Sequence, residues 1–531
     1  MGEQPWRRYY PWLPVGCALG KVKKSLRPER SVALPTRPQN EISRLKWIFG
    51  TTYTVQGSSA LSDIPTLYFV KFFLDMGDAG GQLFQSLKSI GWLVKPLWGF
   101  ISDRFTLFGY HRKSWFVLMA LLGVVFWAFN ALCALLGVRI PLVYLIGFNL
   151  AFSTYAFVDV VADAIMVEHG RRLKRVGSFV NFQWTMLSLA NAVVTAISGW
   201  FQEQIQDGQF AYWMIFLATG LPPLVTAIVG YINIPERPAR LSSRPRRSAR
   251  LFEWRNVHRS LLYRMRSLPA TIRSLGRENK LLMLLILFIV LWNFSPSIGY
   301  IERSYLIDVR GFTPIAFGTI FTIQAITFLL SILTYRFVVR RWPWIQWYHY
   351  LYAMVVIMLI AFPLSFYFYL DPDHPWWGVI MWPFPQGWNP LPEWNRYVWF
   401  RIVFSVMFGF ATIPAFMIPL RVAGEVVKIQ YAGMSYAFLM ALSNVTNTFE
   451  GLVGSALYWL FSRSWMSWLL ESFYSSPFNI AGVADTRTLI LQMFVYISLF
   501  FTLLAVPVVA ILRRALAGQG IHITNIEAGS S

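Results

Sequence analysis

Apolar stretches dominate the chain between residues 46 and 512, and short segments rich in charge, glycine or proline separate them. A run of about 20 apolar residues is typical of a membrane-spanning helix, because a helix rising about 1.5 Å per residue needs this length to cross a hydrocarbon core about 30 Å thick. Twelve such stretches can be delimited, near residues 46–74, 80–101, 114–137, 140–167, 175–201, 210–233, 280–305, 314–338, 344–370, 397–424, 430–461 and 487–512. The pattern therefore predicts an all-α membrane protein with twelve transmembrane helices.

The longest interruption of this pattern divides the twelve stretches into two sets of six. An internal repeat supports two related halves, because Asn191 falls opposite Asn447 when stretches five and eleven are aligned on Gly177 and Gly433. Many secondary transporters are built from such repeats. We therefore expect five regions: a basic N-terminal tail (1–45), a six-helix half (46–233), a basic linker (234–279), a second six-helix half (280–512) and a C-terminal tail (513–531).

The basic residues follow the pattern expected of a membrane topology. The chain carries 47 Lys and Arg against 25 Asp and Glu, a formal net charge of +22. Most of the basic residues lie in the tails and in the connections after even-numbered stretches, which the positive-inside rule places in the cytoplasm together with both termini. We therefore expect anionic lipid, and not nucleic acid, beside these charges. In the linker, apolar residues recur at helical spacing from Leu261 to Ile272, which fits an amphipathic surface helix and equally a disordered basic segment.

Composition supports a membrane location. Only 14% of the residues are charged and 56% are hydrophobic, whereas about 25% of a soluble domain is charged. The segment YYPWLPVGCALG (9–20) contains two prolines and is not expected to act as a signal peptide. We expect a multi-pass protein of the cell (inner) membrane, with an organelle membrane as the alternative.

Polar side chains recur at helical spacing inside several stretches, so that they share one face of each helix. These stripes are Tyr53, Gln56, Ser59 and Asp63 in stretch one; Gln85, Lys88, Trp92 and Lys95 in stretch two; Asp159 and Asp163 in stretch four; Trp184, Ser188 and Asn191 in stretch five; and Ser443, Asn447 and Glu450 in stretch eleven. A charge at the bilayer centre costs about 2.5–3.5 kcal/mol, so charged members are expected to face a cavity and pair with one another. The cavity interpretation is favoured for Asp63, Lys88, Lys95 and Glu450.

Structural roles are considered for the other stripe residues. For Ser188 and Asn191 we favour hydrogen bonds between helices, worth about 0.6 kcal/mol each. Asp159 and Asp163 lie four residues apart near the predicted inner end of their helix, where a charge network accounts for them equally well.

The sequence contains no motif for enzymatic chemistry or metal binding. GCALGKV (16–22) lacks the glycine spacing and the hydroxyl residue of a nucleotide-binding P-loop. Two cysteines, Cys17 and Cys133, and six scattered histidines show no zinc or haem spacing. We therefore expect no cofactor and no enzymatic activity. Passage of a solute, either facilitated or coupled to an ion gradient, remains, with buried carboxylates as the usual proton carriers.

Residues 95–113, KPLWGFISDRFTLFGYHRK, carry the most informative resemblance. Gly99 through Asp103-Arg104, followed by Gly109 and Arg112-Lys113, resembles the loop between the second and third helices of the major facilitator superfamily. The fuller form KPLWGFISD…FGYHRK resembles the folate-biopterin transporter family within that superfamily. TVQGSSALSDIPTLYFVK (54–71), DVVADAIMVEHGR (159–171), SPSIGYIERSYLIDVRGFTPIAFG (295–318) and YAFLMALSNV (436–445) are similar to other segments of that family. The chain departs from the family pattern at His111 and Ala432.

This resemblance implies a major facilitator fold and alternating-access transport of folate, biopterin or related pteridines, coupled to protons. It implies a substrate site in which Lys88, Lys95 or Arg401 pairs with substrate carboxylates, Asp63 bonds the pterin ring, and Trp92 and Trp184 stack on it. The full set of expected substrate-binding residues is Gln56, Asp63, Lys88, Trp92, Lys95, Trp184, Arg401, Asn447 and Glu450. An inner-face gating network is expected from Asp103, Arg104, Arg112, Lys113, Asp159, Asp163 and Glu168.

Two other functions fit the same sequence. The cargo of this fold is alternatively another organic anion, an amino acid or a nucleoside-like solute. A non-transporting membrane scaffold or assembly factor of the same fold is the second alternative. The expected partners are a small-molecule substrate, protons and anionic lipids but no nucleic acid, and the protein is expected to be a monomer.

Overall fold

The structure, a computed structural model, describes residues 38–88, 90–110, 112–173, 175–236, 280–293, 295–342, 347–377, 396–426 and 429–518. These ranges are built almost wholly of helices. Within them, the only β pairing is an isolated antiparallel bridge between Leu107 and Tyr110, in the loop where the sequence resembles the superfamily signature. The expectation of an all-α protein is confirmed.

The first half is formed by the helices that precede the linker. They are α1 (Pro38–Ser58), α2 (Asp63–Tyr68), α3 (Asp78–Leu87), α4 (Lys95–Arg104), α5 (Lys113–Leu135), α6 (Pro141–Leu173), α7 (Val176–Gln206) and α8 (Tyr212–Asn233). Short 3-10 helices at Ser59–Ser62 and Ile90–Trp92, and a π-helix at Phe69–Phe73, lie between or after them. Trp127 is fully buried in the core of this half, packs against Phe148 and Phe216, and donates its indole N–H to the Tyr155 hydroxyl at 3.0 Å.

The second half follows the linker, of which residues 237–279 lie outside the described ranges. Its helices are α9 (Lys280–Asn293), α10 (Gly299–Arg310), α11 (Pro314–Arg341), α12 (Trp347–Leu364), α13 (Arg396–Val426), α14 (Ile429–Phe461), α15 (Ser467–Tyr474) and α16 (Thr486–Gly518). Short 3-10 helices occur at Ser365–Phe368 and Ser464–Met466. Buried apolar side chains of α9, α12 and α16, among them Phe288, Leu351 and Val509, form a core of this half.

Helices overlap each of the twelve predicted stretches. Within the described residues, seven are long and apolar enough to cross a membrane: Lys113–Leu135, Pro141–Gly170, Val176–Gln206, Tyr212–Asn233, Pro314–Thr334, Tyr348–Phe368 and Thr486–Ala515. The protein is therefore a multi-pass integral membrane protein. The number of twelve transmembrane helices stays a prediction.

Within the described residues, three of the predicted stretches are interrupted and then continue as a second α-helix, and two of these interruptions lie next to a proline. In stretch one, α1 ends at Ser58, a 3-10 helix follows at Ser59–Ser62, and α2 begins at Asp63. Stretch two breaks after α3, and α4 begins at Lys95 with Pro96 in its first turn, where proline is tolerated because its missing N–H has no intrahelical partner. Stretch seven breaks around Pro296 before α10 begins. Discontinuous helices of this kind commonly line binding sites in transporters.

The two halves approach closely where α7 meets α11. A Cβ atom on Gly199 would lie 2.7 Å from the Pro314 carbonyl oxygen and 2.9 Å from the Gly318 Cα. The Thr322 hydroxyl, one turn further along α11, donates to the Ala192 carbonyl of α7 at 3.1 Å. Glycine is therefore required here for backbone contact, and any larger residue would push the halves apart.

Candidate functional site

A polar cavity of about 170 Å³ lies between the halves, beside the breaks in stretches two and seven. One wall comes from α3 of the first half, and the other comes from the start of α10 and from α14 of the second half. Its lining residues are Gln82, Gln85, Ser86, Ser297, Gly299, Tyr300, Arg303, Asn447, Glu450 and Gly451. Asn447 and Glu450 belong to the expected substrate-binding set, and Gln85 belongs to the polar stripe of stretch two.

Backbone contacts fix the walls of this cavity. The Gln82 side-chain oxygen accepts the Tyr300 backbone N–H at 2.9 Å, which joins the two halves at the edge of the cavity. Glu450 accepts the Ser297 N–H through its backbone carbonyl at 3.0 Å, so the broken segment before α10 is held on α14. A Cβ on Gly81 would overlap the Tyr300 ring. The sequence therefore places small residues where the walls must meet.

Several polar groups at this cavity have no protein partner. Within the described residues, neither the Glu450 carboxylate nor the Arg303 guanidinium makes a hydrogen bond or an ion pair, and the buried Tyr300 hydroxyl also lacks a partner. The Arg303 guanidinium lies 4.8 Å from the centre of the Phe321 ring. Unsatisfied polar groups inside a membrane protein face water or a ligand, because apolar surroundings would cost several kcal/mol for each group. This cavity is therefore the candidate binding site.

Each of the three cations predicted to bind substrate is paired with an acid of the protein. Lys88 Nζ lies 3.4 Å from Asp63 Oδ1, and Asp63 keeps 46% of its side chain exposed although it sits within stretch one. Arg401 binds Glu302 through two contacts of 2.7 and 3.1 Å.

Lys95 makes the third and most buried pair. Its Nζ lies 2.5 Å from Asp159 Oδ2, and only 4% of the Asp159 side chain is exposed. The same ammonium lies 4.5 Å from the centre of the Trp92 ring, so Trp92 is engaged by the protein. The neighbouring acid Asp163 accepts the Tyr53 hydroxyl at 2.9 Å. The stripes of stretches one, two and four therefore meet inside the first half.

Two further predicted substrate residues lie elsewhere. Gln56 borders a hollow of about 10 Å³ among helices of the first half, together with Thr154 and Thr226, and this space is too small for a solute. Trp184 is half-buried on α7 and is not among the residues that line the cavity. The geometry gives no support to a substrate role for Gln56, and both roles stay predictions.

The predicted inner-face network is seen in part. The side chains of Asp103 and Arg104 lie outside the described residues, as does His111. The backbone N–H groups of Arg112 and Lys113 both donate to the Glu236 carboxylate, at 2.9 and 2.8 Å. Arg112 also donates to the Ser102 hydroxyl at 3.3 Å.

These contacts fasten the loop between α4 and α5, which corresponds to the loop between the second and third predicted stretches (the 2–3 loop), to the end of α8. Glu168 is exposed. Glu236 was not predicted from the sequence, although an acid directly after the last apolar residues of a stretch was a usable signal. The gating role of the network stays a prediction.

A second charge cluster, not predicted from the sequence, lies at the opposite end of the bundle. We call it the outer-face cluster, because the positive-inside rule predicts that end to face outward; it consists of Lys71, Asp78, Ser304, Asp308, Tyr458 and Arg487. Arg487 contacts Asp308 at 2.8 Å and Asp78 at 2.9 Å. Lys71 contacts the same Asp308 at 2.8 Å. Because Lys71 and Asp78 belong to the first half and Asp308 and Arg487 to the second, the cluster joins the halves.

Hydroxyl groups complete the outer-face cluster. Ser304 and Tyr458 both donate to the Asp78 carboxylate at 3.0 Å, and Lys71 donates to Ser304 at 2.8 Å. Two of the ion pairs, Lys71 with Asp308 and Arg487 with Asp78, cross from one half to the other. The sequence signal was weak but present, since acids and bases at the ends of stretches are scarce on that face.

Curated relatives of the chain are named as folate or folate-biopterin transporters. The chain is 25% identical over 294 residues to the folate-biopterin transporter of Synechocystis sp., covering 55% of this chain and 54% of that protein. It is 28% identical over 206 residues to probable folate-biopterin transporter 7 of Arabidopsis thaliana, covering 38% and 45%. Folate transporter 1 of Plasmodium falciparum is 22% identical over 293 residues, covering 53% and 50%. The chain thus spans about half the length of the curated relatives it matches.

Solved structures identify the fold. The POT family transporter PepTSo superposes with a TM-score of 0.60 at 13% identity, covering 91% of this chain and 99% of that chain. The nucleoside transporter NupG superposes with a TM-score of 0.54 at 14% identity, covering 88% and 98%. At these low identities, the structural similarity is evidence for the fold alone. It confirms the expected major facilitator fold.

A family model assigns the sequence itself. It describes the BT1 family and matches residues 56–370, from the polar stripe of stretch one to just beyond the 3-10 helix that follows α12. The resemblance carried by the 2–3 loop and its neighbouring segments is therefore confirmed. The match covers more than half of the chain, and the chain therefore belongs to the BT1 family.

Proposed function

We propose that the protein is a secondary transporter that moves folate, biopterin or related pteridines across a membrane by alternating access, coupled to protons. The observation that carries this proposal is the polar cavity between the halves, in which Arg303 and Glu450 have no ion-pair partner among the described residues. A solute held there touches both halves, so its binding can influence how the halves rock against each other.

The outer-face cluster supplies the second element of alternating access. Its ion pairs close the bundle at one end, and they must break before the cavity can open to that side. On this proposal Arg112, Lys113 and the acids of the inner-face network make corresponding contacts at the other end. We place both termini in the cytoplasm and the protein in the cell membrane, where the basic loops contact anionic lipid.

Uptake into vesicles tests the proposed function directly. Purified full-length protein in liposomes should accumulate labelled folate and labelled biopterin in a saturable manner, faster with an inward proton gradient. Protein-free liposomes are the control. Uptake of neither compound by folded protein would remove the proposed substrate class, and a screen of other organic anions would then test the alternative cargo.

Glu450 is the proposed proton carrier, because its carboxylate faces the cavity without a basic partner among the described residues. The E450Q variant should lose the stimulation of uptake by a proton gradient, since glutamine cannot release a proton. Exchange of labelled for unlabelled substrate should remain, because exchange needs no net proton movement. The matched control is E471Q, at an exposed position of α15. Undiminished stimulation in E450Q would assign proton coupling to another carboxylate.

A further inference from the structure

We propose that Arg303 anchors a carboxylate of the transported solute and thereby sets the preference for anionic over neutral substrates. This inference rests on the proposed transport function and deepens it. Neither the polar stripes nor the resemblance pointed to Arg303, although it stands next to Glu302 inside the apolar stretch 280–305.

The state of the other cations singles out Arg303. Lys88 lies 3.4 Å from Asp63, Lys95 lies 2.5 Å from Asp159, and Arg401 makes two contacts with Glu302. A substrate carboxylate could bind any of these cations only in competition with an acid already in place. Arg303 makes no ion pair or hydrogen bond with any described residue.

The helix geometry directs Arg303 into the cavity. Successive residues of an α-helix project about 100° apart, so adjacent charges on α10 face different neighbours. Glu302 reaches Arg401 on α13, whereas Arg303 lines the cavity opposite α3. The Phe321 ring of α11 lies 4.8 Å from the guanidinium. Contact with a ring face positions an arginine while leaving its N–H donors free, because the ring accepts the cation and not the hydrogen bonds.

The charges around Arg303 leave it without an ion-pair partner. Asp63, Glu302 and Arg401 lie within electrostatic range of Arg303, but neither acid is within ion-pair distance of its guanidinium. Since Asp63 and Glu302 are each paired with another cation, the charge of Arg303 is left without a dedicated counter-ion. A guanidinium offers a planar fork of donors that matches a carboxylate in two parallel bonds. A carboxylate of the solute would supply the missing partner.

A structural role for Arg303 makes a different prediction. If the guanidinium only braced α10 against α11 through Phe321, its loss would lower stability and impair all solutes alike. An anion anchor affects charged solutes selectively. One solute with carboxylates and one without therefore distinguish the two roles.

The experiment compares folate, which carries carboxylates, with biopterin, which carries none, in liposomes containing wild type, R303K, R303Q or R463Q. The control Arg463 is exposed and lies over Trp459, away from the cavity. In R303Q the KM for folate should rise about tenfold to a hundredfold, the loss expected for a charged hydrogen bond. The KM for biopterin should change little, and R303K should lie between wild type and R303Q. Equal impairment of both solutes, or unchanged folate uptake, would overturn the inference while transport itself stands.

A second measurement distinguishes failure of the proposed transport function from failure of the Arg303 anion site. If the wild type transports neither solute, thermal unfolding of the detergent-solubilised protein is measured with 4-aminobenzoyl-glutamate and with the neutral 4-aminobenzamide. Stabilisation by the first compound alone, lost in R303Q and kept in R463Q, would support the Arg303 site without transport. Stabilisation by neither compound, or by both alike, would count against it.

Discussion

Replacing Arg487 with methionine should reduce the maximal rate of uptake about tenfold or more, because its charged contacts are each worth roughly 1.5–3 kcal/mol and about 1.4 kcal/mol shifts a conformational equilibrium tenfold. Arg487 is the residue of the outer-face cluster that binds an acid of each half, Asp78 of the first and Asp308 of the second. Without it, two carboxylates face each other with Lys71 as the remaining cation of the cluster. The closed state of that face should lose population, and the transport cycle should stall.

Two readouts separate this effect from misfolding. Hydrogen–deuterium exchange should rise at the start of α3 and of α16, where Asp78 and Arg487 lie, while α5 in the core of the first half stays protected. R463M is the matched control, since Arg463 is an exposed arginine just after the end of α14. A charge-swapped double variant, D78R with R487D, should recover part of the activity lost by either single variant. Normal uptake and unchanged exchange in R487M would show that the cluster is not a gate.

The fold was predictable from the sequence because the bilayer imposes one dominant pattern. Apolar runs located the helices, and the 2–3 loop with its neighbours identified the family, since both signals are local. The outer-face cluster could not be predicted in the same way, because Asp78 and Arg487 are separated by 409 positions and meet only through the packing of the halves. Periodicity states which face of a helix a residue occupies, but not which helix that face meets.

The polar stripe of stretch one shows a second reason why helical periodicity does not fix the position of a side chain. Gln56 and Asp63 are seven residues apart, a spacing that places both on one face of a regular α-helix. A 3-10 helix lies between them at Ser59–Ser62. Each 3-10 residue turns the chain about 20° further than an α-helical residue, so four of them rotate the following helix by about 80°. Gln56 accordingly borders the small hollow of the first half, whereas Asp63 pairs with Lys88 and is partly exposed.

The pairing of cations with acids was the least predictable part of the site. Lys88, Lys95 and Arg401 were predicted to bind substrate carboxylates. A charge in an apolar run indicates a functional role, but the sequence does not show which residue pairs with it. Glu302 and Arg303 were missed because they do not form a spaced stripe but stand side by side. An adjacent acid and base inside an apolar helix is a signal in its own right, since the two point to different neighbours.

Replacing Lys95 with methionine should destabilise the folded protein by about 3–5 kcal/mol, because it leaves the buried Asp159 carboxylate without its cation. Lys95 starts α4 next to Pro96, and its contact with Asp159 at 2.5 Å fastens the broken second stretch to α6. The midpoint of thermal unfolding in detergent, followed by tryptophan fluorescence, should fall well below that of wild type. K46M, at an exposed position of α1, is the matched control and should unfold as wild type does.

The double variant K95M with D159N shows whether the Lys95–Asp159 ion pair has a structural role only or also a role in transport. Removing both charges no longer leaves the Asp159 carboxylate without its cation, so most of the lost stability should return. If the double variant is stable and still transports, the pair is a structural fastening of α4. If it is stable but inactive, the pair has a role in the transport cycle, as the predicted place of Asp159 in the gating network and of Lys95 in the substrate site implies. A single K95M variant as stable as wild type would mean that Asp159 is neutral or finds another donor, and the buried ion pair would have to be abandoned.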